Sequence, residues 1–222
     1  MIAYNFNWAV IWRNWDAFLG ALALGLGLAV VSLVIGTIIG LFLAYARLSP
    51  SPWISRPAWA YVEFIRNTPL LLLIFFVYFG LPEIGIYNLD KIQSFILTLS
   101  GYAAAYMCEV FRAGLASMPR AYGEAAKAIG LRPWQRQRHV VLPVMFRITL
   151  PAVSNNLISL FKDTSLAAAI AVPELTFTAR QINANTYRVI ECWLTASALY
   201  LVTAYAIAIA LRQVEKRYAV VR

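Results

Sequence analysis

The stretch EAAKAIGLRPWQRQRHVVLP, Glu124 to Pro143, breaks the pattern of everything around it. It is strongly basic, it carries its own glycine and prolines, and it stands between apolar runs long enough to cross a bilayer. Its punctuation predicts two short helices. Pro119 stands in the first turn after Ser117 and Met118, Gly130 is a suitable C-terminal stop, and Pro133 can open a second helix. Tyr122, Ala126 and Ile129 fall on one face of the first helix, and Ala121, Ala125 and Ala128 on a second face of small residues. Pro143 marks the approach to the next apolar run. The segment from 117 to 143 is therefore expected to be a helix–turn–helix lying along a membrane surface. Two readings of it stand on the pattern alone. It is a basic loop held by anionic headgroups, or it docks onto a partner protein.

Working outward, the 222 residues are 61 % hydrophobic and only 13 % charged, far from the roughly 25 % charged composition of soluble domains. An apolar segment needs about 20 residues to span the hydrocarbon core. Five such segments are expected, at about 17–45, 59–81, 92–111, 148–172 and 192–211. The first contains Gly36-x-x-x-Gly40, which permits close approach of a neighbouring helix. The net charge of +9 is segregated rather than spread over a binding face. Arg47 and Arg56 fill the first connector, and Arg112, Arg120, Lys127, Arg132, Arg136, Arg138 and Arg147 the third. Arg212, Lys216, Arg217 and Arg222 close the chain, while the second and fourth connectors are nearly neutral. The positive-inside rule then puts the N-terminus outside and the C-terminus in the cytoplasm. The fold class is an all-α integral membrane protein with five transmembrane helices, forming one domain over 1–222.

Several function classes are excluded. Nucleic acid is not an expected partner, because the charges are sparse. Cys108 and Cys192 lie in different apolar segments, and the lone His139 has no ligand at metal spacing, so no disulfide framework or metal site is expected. There is no phosphate-binding P-loop, and no paired-carboxylate or nucleophile constellation for a membrane enzyme. The N-terminus lacks the Lys/Arg region of a cleavable signal peptide. The odd span count and the missing internal repeat disfavour an inverted-repeat carrier. A self-sufficient channel or secondary amino-acid carrier stays as the alternative.

Glu124-Ala125-Ala126, then Gly130, then Val140, Leu142 and Pro143, resemble the EAA–G–LP signature of ABC-importer permeases. RNTPLLLLIFFVYFGLP, YAAAYMCEVFRAGLASMP, PAVSNNLISLFKDTSLAAAIAVPEL, TARQINANTY and LRQVEKRY resemble the subgroup for polar amino acids: histidine, glutamine, arginine, glutamate and opines. The resemblance covers essentially the whole chain. It departs from the family at Ala121 and Tyr122, at Arg132, and at Val144 and Met145. It implies a type I ABC-importer permease fold in a bacterial inner membrane, with the N-terminus periplasmic. The implied partners are two ABC ATPase subunits, a second permease (identical or homologous) and a periplasmic amino-acid-binding protein. ATP and magnesium would be bound by the ATPase, leaving this chain without cofactor or catalysis. The coupling helix would be formed by Ala121, Glu124, Ala125, Ala126, Ala128 and Gly130, seated in a groove of the ATPase.

Charged side chains within a bilayer cost about 2.5–3.5 kcal/mol each on an insertion scale, so they face a bundle interior or a wet cavity. Glu109 and Arg112, three apart on a helix, are expected to pair, and Glu63 and Arg66 likewise. The fourth span carries Asn155, Ser159 and Lys162 at i, i+4 and i+7, with Asn156 and Asp163 widening the stripe. That stripe packs against a partner permease or lines the substrate path. On the second reading Arg66 or Lys162 would meet a substrate carboxylate and Asp163 its ammonium group. Asn67, Thr68, Asn155, Ser159 and Thr164 would add hydrogen bonds. Pro69 and Pro151 stand as kinks or flexing points.

Overall fold

The computed structural model describes residues 4–86 and 88–218, and every described element is helical. Arg222, counted above with the basic tail, lies outside the described residues. In chain order the helices are α1 (Ala9–Arg13), α2 (Trp15–Arg47), α3 (Pro52–Asn67), α4 (Leu70–Phe75) and α5 (Lys91–Ser117). They are followed by α6 (Arg120–Ala128), α7 (Pro133–Arg136), α8 (Leu142–Asp163), α9 (Leu175–Thr186) and α10 (Val189–Tyr218). Among the described residues, four helices are long and apolar enough to cross a membrane, or five if the bent pair α3–α4 counts as one.

The central helix is α5. Of its most apolar window 61 % is buried, against 6 % for that of α10. It opens with a reciprocal cap: the Asp90 carboxylate accepts the amides of Ile92 and Gln93, and the Gln93 side chain accepts the amide of Asp90. Against it α2 runs parallel, and the two glycines of α2 set the distance. A Cβ on Gly36 would stand 2.5 Å from the Cβ of Ala103, and one on Gly40 would stand 2.6 Å from that of Met107. The third close approach is between α5 and α8, where a Cβ on Gly114 would lie 2.2 Å from Cγ2 of Thr149. Phe95, Leu99 and Phe161 fill the core on one side of these contacts, and Ala44, Phe111 and Met145 on the other.

The second expected span, 59–81, is not one helix. α3 ends at Asn67, and the chain turns by 108° into Leu70–Glu83. Pro69 offers no amide and pushes Thr68 into extended backbone (φ −104°, ψ 132°). The carbonyls stranded at the helix end are met locally. The Asn67 amide donates to the Glu63 carbonyl at 2.8 Å, and the Thr68 hydroxyl donates to the Phe64 carbonyl at 2.7 Å. Pro151, by contrast, sits inside an unbroken α8.

Two further boundaries differ from expectation. Ser117 does not start the surface helix. It ends α5, with its hydroxyl on the Gly114 carbonyl, and Pro119 is the cap residue of α6. The helix of the fourth expected span, about 148–172, starts earlier: α8 opens at Leu142, continuous with the helical turns from Pro133, and it tightens into a 3₁₀ helix over Thr164–Ile170. The carbonyls at its end draw cations: Arg180 donates to the Ala168 carbonyl at 3.1 Å and Lys91 to that of Ala171 at 2.7 Å. Glu174, fully buried, caps α9 by accepting the amides of Thr176 and Phe177, and takes the Tyr200 hydroxyl at 2.7 Å. Glu191, also buried, clasps the N-terminal segment by accepting the Asn7 amide and the Tyr4 hydroxyl. That hydrogen bond pushes the Tyr4 phenol above its ordinary range.

Candidate functional site: a polar pocket and a surface helix

Between α5 and α8 lies a cavity of about 420 Å³ lined by Tyr102, Ala103, Tyr106, Asn155, Asn156, Ser159, Leu160 and Asp163, a size within the roughly 300–1,000 Å³ of small-molecule sites. The wall from α5 is made by two tyrosines one turn apart, with rings 4.7 Å between centroids and hydroxyls 3.1 Å apart. The wall from α8 repeats polar side chains at positions 155, 159 and 163, one per turn. The Asn156 amide donates to the Ala152 carbonyl, so its side-chain oxygen is what remains for a ligand. Asp163 forms no ion pair among the described residues. The pocket therefore offers one carboxylate, two phenols and three neutral polar groups, a set suited to a small solute bearing an ammonium group.

The other residues expected along the path take different places. Lys162, next to Asp163, is exposed and is not part of the pocket lining. Successive helical residues diverge by about 100°, so one neighbour enters the cavity and the other leaves it. Thr164 is fully buried, donates to the Phe161 carbonyl and packs against Gly25 of α2. Asn67 and Thr68 are spent on the end of α3, as described above. Arg66 borders the pocket without lining it: its guanidinium lies 5.5 Å over the ring of Tyr106. Tyr102 and Tyr106 were missed by sequence reasoning, although two phenols one turn apart in an apolar span were a readable signal.

The charged pairs are also rearranged. Glu109 and Arg112 do pair, at 2.8 Å. Glu63 and Arg66 do not pair with each other. Arg47 of α2 reaches Glu109 and stands 3.7 Å from Glu63, while Arg66 lies 4.0 Å from Glu109. One carboxylate on the central helix thus draws arginines from α2, α3 and α5.

The surface helix α6 touches the rest of the protein through Ala126, 3 % exposed, and the half-buried Gly123. Tyr122 and Ile129, 39 % and 75 % exposed, do not join Ala126 in an inward face. Ala121, Glu124, Ala125 and Ala128 are exposed as well. Gly130 adopts φ +78° and closes the helix: its amide donates to the Lys127 carbonyl and the next amide, Leu131, to that of Ala126. The segment turns back through α7 and one π-helical turn, Gln137–Val141, and Gln137 accepts the Tyr45 hydroxyl at 2.9 Å.

Residues 36–220 match the family described as the binding-protein-dependent transport system inner membrane component. The chain belongs to that family. Its relatives include the probable amino-acid ABC transporter permease protein YckA of Bacillus subtilis (strain 168), 33 % identical, covering 97 % of this chain and 95 % of that protein. The glutamine transport system permease protein GlnP of Escherichia coli (strain K12) is 31 % identical, over 96 % and 98 % of the two chains. The histidine/lysine/arginine/ornithine permease HisM of the same strain is 34 % identical, over 94 % and 91 %. Among solved structures, an amino acid ABC transporter crystallised with histidines superposes with a TM-score of 0.89 at 28 % identity, covering 96 % of this chain and all of that one. The methionine transporter MetNI, inward facing, shares the fold at a TM-score of 0.79 and 21 % identity. This family member is an ABC-transporter permease, and the channel and secondary-carrier alternative is set aside.

Proposed function

We propose that this chain is the membrane-spanning, non-catalytic permease subunit of an importer that carries a polar amino acid into the cytoplasm by alternating access. The observation that supports it best is the α5–α8 pocket. It is polar, amino-acid-sized and open to an ammonium group at Asp163, within a helical bundle whose relatives are amino-acid permeases. Two ATPase subunits bind and hydrolyse ATP with magnesium, and the exposed face of α6 seats in them. Ala121, Glu124, Ala125 and Ala128 supply that face, Ala126 anchors it, and Gly130 fixes the turn that follows. A second permease, identical or homologous, completes the path, and a periplasmic amino-acid-binding protein feeds it.

In this reading the chain crosses a bacterial inner membrane five times, with α3–α4 as one broken crossing and the N-terminus periplasmic. The directions of three long helices are consistent with it, because α2 and α5 run one way while α8 runs back, and the basic connectors give the proposed sidedness. The pocket chemistry favours a substrate with a cationic group, since Asp163 is its one charge. The test is uptake of labelled histidine, arginine, glutamine and glutamate by liposomes holding the complete transporter, with ATP enclosed and binding protein outside. ATP-dependent uptake of at least one, lost in Asp163→Ala, is expected. Uptake that proceeds without ATP would overturn the reading.

A further inference from the structure

Away from the pocket, where α2 ends and α3 begins, Arg47, Leu48, Ser55, Arg56, Trp59 and Arg112 enclose a second hollow of about 490 Å³. Its cations converge from three helices: Arg47 from α2, Arg56 from α3 and Arg112 from α5. The charges here do not balance. Arg47, Arg66 and Arg112 share Glu109, and among the described residues Glu63 lies within ion-pair reach of Arg47 alone. Arg56 has no ion pair among the described residues. Four arginines against two glutamates leave two positive charges at one spot on the protein.

We propose that this hollow binds the phosphate of an anionic phospholipid. A guanidinium presents donors in a planar fork that matches phosphate oxygens two at a time. Arg56 offers that fork without an ion pair among the described residues, while Arg47 and Arg112, already shared with Glu109, add positive charge to the wall. Leu48 and Trp59 give the remaining wall an apolar character suited to the glycerol and first methylenes. Trp53 and Trp59 are 90 % and 55 % exposed on α3, and exposed indole rings beside basic residues are suited to the level of lipid headgroups. The hollow is at the same end of the bundle as α6 and the basic connectors. On the orientation proposed above, that end faces the cytoplasmic leaflet, where anionic lipids concentrate and basic pockets between helices hold their headgroups. A lipid held there would bridge the end of α2 to the start of α3.

The test uses the complete transporter, delipidated in detergent and titrated separately with phosphatidylglycerol, cardiolipin, phosphatidylcholine and inorganic phosphate, with bound species counted by native mass spectrometry. Arg56→Gln is the chosen variant, because Arg56 makes no ion pair among the described residues. The expected result is saturable binding of an anionic lipid over phosphatidylcholine, on the order of fivefold weaker in Arg56→Gln and largely restored in Arg56→Lys. Equal binding by wild type and Arg56→Gln, or no preference for anionic lipid, overturns the proposal. Displacement of the lipid by millimolar inorganic phosphate overturns the lipid assignment and leaves a phosphate site. Binding in detergent does not depend on which way the chain faces. Labelling of Ser49→Cys in intact cells by an impermeant thiol reagent therefore reports separately on the orientation.

Discussion

Gly36 of α2 lies so near Ala103 of α5 that a Cβ on the glycine would meet the alanine Cβ at 2.5 Å, with backbone atoms of residues 103 and 104 at 3.0–3.1 Å behind it. Backbone cannot swing aside as a side-chain tip can. Gly36→Ala and Gly40→Ala are therefore expected to force the two helices apart and lower stability by about 1–3 kcal/mol each. Gly27→Ala, with nothing within 4 Å, is the control. The measurement is the midpoint of thermal unfolding in detergent. A Gly36→Ala midpoint equal to that of Gly27→Ala would mean the helices are not packed this closely.

Gly130 gives a cleaner separation of backbone from contact. No atom would meet its Cβ, yet its φ of +78° costs a residue with a side chain about 1–2 kcal/mol. Gly130→Ala should loosen the end of α6 and weaken substrate-stimulated ATPase activity in the assembled transporter, with little change in pocket binding. Gly123→Ala, also unobstructed and inside the helix, should leave the isolated chain as stable or more so. Coupled activity in Gly123→Ala should stay near that of the wild type, and an equal loss in both variants would mean that the positive φ of Gly130 is not what matters.

Asp163 and Lys162 make a paired test of the pocket. Asp163→Asn removes the cavity's charge and is expected to raise the half-saturating concentration of a cationic amino acid on the order of 10–100-fold. Lys162→Ala, outside the lining, is expected to change it by less than about twofold. ATP-driven uptake with substrate varied reads both. Equal losses in the two variants would remove the α5–α8 cavity from the substrate path.

Glu109 is the hub of the charge network and should behave unlike Glu63. Glu109→Gln leaves Arg47, Arg66 and Arg112 gathered around a neutral amide, with Arg47 only 12 % exposed. A loss of about 3 kcal/mol is expected. Glu63 is 37 % exposed and 3.7 Å from its partner, so Glu63→Gln should cost under about 1 kcal/mol. Chemical unfolding in detergent compares them. A smaller loss for Glu109→Gln than for Glu63→Gln would contradict the hub.

Apolar length and the distribution of arginines, both local properties, were enough to expect a helical membrane bundle. Gly36 and Gly40 announced a close helix contact, and Gly130 announced a stop, because each answers a backbone requirement that only glycine meets cheaply. Glu109–Arg112 was legible since both ends of that pair lie on one helix turn. What the chain did to Glu63 and Arg66 was not legible by the same rule. Spacing on one helix permits a pair, but a better-placed arginine arrived from α2. The second span read as continuous from hydropathy, which does not register that Pro69 both lacks an amide and forbids helical backbone at Thr68.

By itself, then, the sequence determined the helical class, the apolar runs and the short basic helix with its glycine stop, because these depend on residues near one another along the chain. Only the tertiary structure decided which polar groups share a cavity. Asp163 meets Tyr102 and Tyr106 while Lys162 turns away, a difference fixed by how α8 is rotated against α5. That rotation is set by glycine-sized contacts such as Gly114 on Thr149, between residues far apart in the chain, and no local pattern encodes it.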